Sequence, residues 1–200
     1  LILTGSSARK LRRGASNLLA GRAFLCRMFP LTQRELGGGF DLSCVLHWGS
    51  LPRLSSLQTD AEKKAYLKSY GLLYLKEEIQ QEGLTRSLPA FSRFLEAVSF
   101  SQASVLNISA VAQDCAVPRK TVEEYLQVLE DLLLGLRLQP FLRRAKRRVV
   151  AHPKFYFFDA GVYRTLRPRG PLDSRAELDG GALETLVLQE LRALNSYLGL

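Results

Sequence analysis

Two hundred residues carry 28 lysines and arginines against 19 aspartates and glutamates, a net charge of +9 that favours an acidic partner such as nucleic acid. The 46% hydrophobic content is ordinary for a chain that buries a core, and no apolar run approaches the length of a membrane span. Cys26, Cys44 and Cys115 stand alone: their odd number argues against a disulfide framework, and no Cys/His spacing suits a metal. Reduced, mostly buried thiols, no metal site, no membrane partner and a cytoplasmic location are therefore expected, since no signal peptide is visible either.

Leu1 to Ser7 reads as a buried strand ending in small polar residues. Ala8 to Gly21 reads as a helix, with Leu11, Leu18 and Leu19 apolar and Arg9, Lys10, Arg12 and Arg13 outward. Ala23 to Leu31 reads as a second strand, which makes residues 1–31 half of a parallel α/β unit. From Thr32 the pattern turns helical. Thr32 and Glu35 match a capping box, and Asp41 to Trp48 is a short amphipathic helix before the Gly49–Pro52 turn. His47 and Trp48 read as a partly buried helix end rather than a site. Thr59 or Asp60 caps the next helix, which runs towards Ile79. Its Glu77 and Glu78 are adjacent, so they share no face.

Leu88 to Val105 is expected as one helix, with Phe91, Phe94, Leu95, Val98 and Val105 on one side. Ser109 or Asn107 caps a short helix carrying Val111 and Ala112, and Asp114 to Val117 makes a turn. Pro118 suits the first position of a helix continuous to Leu134. Its apolar face is Val122, Tyr125, Leu126, Leu129, Leu132 and Leu133, and Gly135 ends it. Leu136 to Leu142 should then pair with Lys154 to Phe158. Helix, turn, helix and a β-hairpin over 88–168 spell a winged helix-turn-helix.

Arg143, Arg144, Lys146, Arg147 and Arg148 fall between the two strands, where a basic tip meets phosphates. Arg119, Lys120 and Thr121, with Gln127, lie on the outer face of the long helix and suit phosphates or base edges. Glu123 and Glu124 on the same helix repel DNA, so a module that packs on protein remains the alternative. Asp159 reads as a helix cap more than as a catalytic acid. Arg164 to Gly170 reads as a linker. Leu178 to Gly181 leads into a last helix whose apolar stripe is Leu183, Leu186, Val187, Leu191 and Leu194.

LTGSSARKL, LLAGR and PLTQREL, together with the Gly-Ser-Leu-Pro turn and the Tyr-Leu-Lys-Glu-Glu-Ile helix end, resemble a family. It is the class of bacterial and archaeal AAA+-type P-loop ATPases with a C-terminal winged helix and a PD-(D/E)XK nuclease-like fold. LNISAVA, TVEEYLQVLEDLLL and FYFFDAGVYRTL carry the most specific similarity. The resemblance implies that Ser6 (or Thr4 or Ser7) is a sensor-1 residue and that Arg22 is an arginine finger reaching a neighbouring subunit's nucleotide. GALETLVLQEL is similar to the first helix of the nuclease-like fold, where Glu184 would help position magnesium. The chain departs from the family in having no GxxxxGK[ST] loop and no acidic magnesium-holding strand end. ATP and Mg2+ are thus expected for a full-length parent, and neither binding nor hydrolysis for these residues alone.

The resulting expectation is a mainly α chain with small β. Residues 1–31 end an α/β P-loop ATPase core, 32–87 form a helical lid and 88–168 a winged helix; 169–200 link to and begin a nuclease-like α/β domain. Its leading function is the regulatory and DNA-facing half of a P-loop ATPase, with double-stranded DNA as the expected partner of the winged helix. A protein-interaction module, docking on other subunits or a partner, and part of a metal-dependent nuclease are the alternatives. The first residue, Leu1 rather than Met, suggests a piece of a larger protein.

Overall fold

The computed structural model describes residues 26–71, 87–141, 152–168, 170 and 174–199. The expected first strand and helix, Glu77, Glu78 and the basic run at 143–148 lie outside the described residues. What is described is mainly helical, with one small antiparallel sheet.

Side-chain caps set most of the helix starts. Thr32 and Glu35 close a capping box on α1 (Gln33–Leu36), and Asp41 accepts the Cys44 N–H to start α2 (Leu42–Trp48). Thr59, not Asp60, caps α3 (Asp60–Ser69), and Glu62 completes a second capping box there. No strand forms over Cys26–Leu31. Pro30 has no N–H to offer a ladder, and Leu31 N–H goes instead to the Ser50 carbonyl at 2.8 Å. Cys26 is exposed, Cys44 half-buried and Cys115 buried, so only one of the thiols expected inside is fully inside.

Helix α4 (Leu88–Ser99) is shorter than its apolar pattern suggests. The chain reverses through Ala103, in the left-handed region at φ 55°, and Ser104–Val105 becomes a strand, β1. Asn107, rather than Ser109, caps α5 (Ile108–Asp114) by accepting the Ser109 and Ala110 N–H groups. Pro118 sits one residue before α6 (Arg119–Asp131) as its N-cap. This helix stops three residues short of the expected Leu134, because Leu133 turns left-handed at φ 60°. Leu134 N–H then bonds the Leu129 carbonyl and Leu133 N–H the Glu130 carbonyl. That is a Schellman ending with leucine where glycine is usual. Gly135 therefore opens a strand instead of closing the helix.

Strand β2 (Gly135–Leu138) pairs antiparallel with β3 (Lys154–Phe157), matching Leu136 with Tyr156. β1 pairs on the other side of β3, so the spatial order is β1-β3-β2. Phe91, Phe94 and Tyr125 pack with ring centroids 4.9–5.4 Å apart, over Val122, Leu126, Leu129 and Phe155. Burial of such side chains at roughly 1.5–3 kcal/mol each is the main force holding α4, α5, α6 and the sheet together.

After β3 comes α7 (Ala160–Leu166), where a linker was expected from Arg164 onward. Val162, Tyr163 and Leu166 are buried against the same core, and that burial carries the helix to Leu166. The last helix, α8 (Arg175–Leu198), starts earlier than expected and runs through Gly180 and Gly181. Its inner face is Ala182, Thr185, Leu186, Gln189 and Ala193. Leu183, Val187, Leu191 and Leu194 point outward instead. The helix is apolar on more than one face, so periodicity alone could not say which side packs.

Candidate functional site

Helices α5 and α6 meet at a tight turn. Val117 N–H bonds the Ala112 carbonyl and Ala116 N–H the Gln113 carbonyl, with Ala116 left-handed at φ 52°. Cys115 is buried beneath the turn, and burial pushes its thiol pKa up. Arg93 Nε donates to the Cys115 carbonyl at 3.2 Å, pinning the turn to α4.

The turn delivers Arg119 and Lys120 to the first, exposed turn of α6, with Thr121 beside them half-buried. Farther along, the outer face carries exposed Glu123, Glu124 and Gln127. Arg137 on β2 does not add free positive charge. Its Nε donates to Glu130 Oε1 at 2.9 Å, its backbone N–H reaches the same oxygen at 3.0 Å, and Nη2 lies near Gln127. Burial works to raise the Glu130 pKa, but the Arg137 hydrogen bonds and charge outweigh it and hold it low. The basic end of α6 is thus its N-terminus, and its middle is acidic.

Of the other residues singled out in the sequence, Ser6, Arg22, Arg143, Arg144, Lys146, Arg147 and Arg148 lie outside the described residues. Glu184 is on α8. It accepts from Lys154 Nζ at 3.1 Å and from the Tyr156 hydroxyl at 3.0 Å. The bond to Glu184 raises the Lys154 pKa; burial and then Glu184 raise that of Tyr156. Among the described residues, no three His, Cys, Asp or Glu side chains gather as metal ligands would. His47 and Trp48 end α2 with rings 4.5 Å apart, His47 exposed and Trp48 half-buried.

A buried polar junction was not visible in the sequence. Asp159, with no exposed surface, caps α7 by accepting the Gly161 and Val162 N–H groups at 2.9 and 3.0 Å. Its second oxygen accepts the Ser50 N–H at 2.9 Å. Gln189 Nε2 donates to the Ser50 hydroxyl and to the carbonyls of Pro30 and Leu31. Gln102 bonds Thr185 on α8 and accepts the Phe157 N–H at 2.8 Å. Chain segments from five regions are therefore tied through side-chain amides and one carboxylate. Desolvation raises the Asp159 carboxyl to about 6 despite the three backbone donors that oppose the shift.

A model of the family described as a domain of unknown function, DUF8612, matches residues 40–173. Two curated proteins are similar over nearly the whole chain: uncharacterized protein Mb2031c of Mycobacterium bovis and uncharacterized protein Rv2008c of Mycobacterium tuberculosis. Each is 26% identical over 198 residues, covering 96% of this chain and 44% of the relative. The chain thus spans less than half the length of these relatives. No solved structure matches it. No helix among the described residues is long and apolar enough to cross a membrane.

Proposed function

The chain belongs to the family of the domain of unknown function DUF8612, and from that premise we propose that it is a DNA-contacting winged helix-turn-helix segment of a larger AAA+-type P-loop ATPase. The observation that carries this reading is the start of α6. A tight turn at Ala116 sets Arg119 and Lys120 on the exposed first turn of the second helix. In helix-turn-helix proteins that end of the second helix enters the major groove. The β2–β3 hairpin is the wing, and Arg143, Arg144, Lys146, Arg147 and Arg148 fall between its strands in sequence. The ATPase part rests on the resemblance of residues 1–31 and assigns Ser6 and Arg22 to nucleotide sensing, with ATP and Mg2+ bound by a longer parent.

Fluorescence anisotropy on a labelled 25-base-pair duplex over a salt series tests it. Changing the five basic wing residues to Ser should weaken binding by at least tenfold and flatten the salt dependence. Arg119→Ser with Lys120→Ser should weaken it further. Unchanged affinity in the seven-residue variant would remove the basis of the reading.

Glu123 and Glu124 favour a second reading, in which the acidic middle of α6 docks on protein. A complete lack of salt-dependent DNA affinity in the unaltered chain would select it.

A further inference from the structure

A cavity of about 500 Å³ opens between α2, α7 and the first turns of α8. That volume falls in the range of small-molecule sites, roughly 300–1,000 Å³. Leu46 and Leu178 supply apolar wall, and Arg164, Arg175, Asp179 and His47 supply the polar part. The Arg164 side chain is only 10% exposed. Its Nη2 bonds Asp179, and its Nε is buried with no acceptor. A guanidinium stays charged and presents five N–H donors, more than the Asp179 carboxylate that it shares can accept. Asp179 is also shared: Arg175 Nε lies 3.5 Å from its other oxygen. One carboxylate thus serves two guanidinium groups, and the described lining residues carry a net positive charge.

We propose that this cavity binds a small organic phosphate. Its phosphoryl oxygens would engage the Arg164 and Arg175 guanidinium groups, whose planar forks match oxyanion geometry. Its organic part would lie along Leu46 and Leu178. Asp179 holds the two arginines in place when the cavity is empty and competes with the incoming anion. The site is separate from α6, so it stands or falls independently of DNA contact.

Trp48 is the only tryptophan of the chain and its ring adjoins that of His47 at the cavity wall, so its fluorescence reports occupancy. The chain is titrated with inorganic phosphate and with phenyl phosphate at constant ionic strength. Saturable changes are expected with both, phenyl phosphate binding roughly tenfold more tightly because its ring is buried. Arg175→Ala should weaken both several-fold; its side chain is 91% exposed, so the fold is kept. Asp179→Asn should tighten both several-fold, an effect that a merely structural aspartate would not produce. The proposal is overturned if neither ligand gives a saturable change beyond that of sodium chloride. It is equally overturned if Arg175→Ala binds as the unaltered chain does.

Discussion

The carboxylate of Asp159 accepts the backbone N–H of Ser50 across 109 residues of chain, at 2.9 Å and without any exposed surface. The same group caps α7, so one side chain both starts a helix and fastens the Gly49–Pro52 turn to it. Trp48, Gly49 and Ser50 are thereby held against the first turn of α7.

This carboxyl should leave a signature in the pH dependence of stability. Its pKa is about 6 in the folded chain against an ordinary 3.8, so the folded state holds the proton more tightly than the unfolded state does. Its contribution is therefore greatest below about pH 4 and is lost as the pH climbs through 6, a loss of about 3 kcal/mol. Urea denaturation at pH 4.5, 5.5, 6.5 and 7.5 checks this. Asp159→Asn keeps an oxygen for Gly161 and Val162 but cannot titrate, so its stability should fall less over that range. Parallel pH profiles for the two proteins would contradict the assignment.

The junction also needs two glycines. Gly49 sits at φ +80°, and a Cβ there would fall on the Asp159 carboxylate; a Cβ on Gly161 would fall on the Trp48 carbonyl. Backbone cannot yield as a flexible side chain can. Gly161→Ala should therefore cost at least about 3 kcal/mol, or prevent folding, and Gly49→Ala a similar amount. Gly38→Ala is the control, since nothing lies within 4 Å of its added methyl group. Thermal melts should place it within about 0.5 kcal/mol of the unaltered chain. Equal Tm values for all three variants would show that the close approach is relieved elsewhere.

Two left-handed residues invite the opposite change. Ala116 and Leu133 occupy the C′ positions of Schellman endings at φ 52° and 60°. A side chain there costs roughly 1–2 kcal/mol that glycine avoids. Ala116→Gly should raise stability by about 1 kcal/mol, less the added freedom of the unfolded chain. Leu133 is 43% exposed, so Leu133→Gly should also stabilise, by a smaller margin. Differential scanning calorimetry reads both. A lower Tm for Ala116→Gly would mean that its methyl group contributes packing worth more than the backbone strain.

Local features were legible in the residues themselves. The Thr32–Glu35 box, the Asp159 cap and the buried face of α6 through Val122, Tyr125, Leu126, Leu129 and Leu132 all follow from short-range spacing. Leu133 was misread as part of that face because the left-handed reversal leaves no mark in the apolar pattern. β1 is two residues long, too short for alternation to register. Arg164, with its Pro- and Gly-rich surroundings, looked like linker, yet its side chain is held by Asp179 fifteen residues later. Gln102, Thr185 and Gln189 look like surface residues, and only the approach of distant segments makes them interior. Of the candidate interface, the turn and the outward Arg119 and Lys120 were legible. The capture of Arg137 by Glu130 was not, since it depends on where β2 returns against α6.

The strand order has a consequence for synthesis. Among the described residues, β1 and β2 do not touch each other; each pairs with β3, which comes after both in the chain. As the polypeptide emerges from a ribosome, both must wait with open edges until Lys154–Phe157 has been translated and released. Unpaired edges of this kind invite sticking to other nascent chains. Truncation anywhere before Phe157 would thus leave a sheet with no middle, however well its helices had formed.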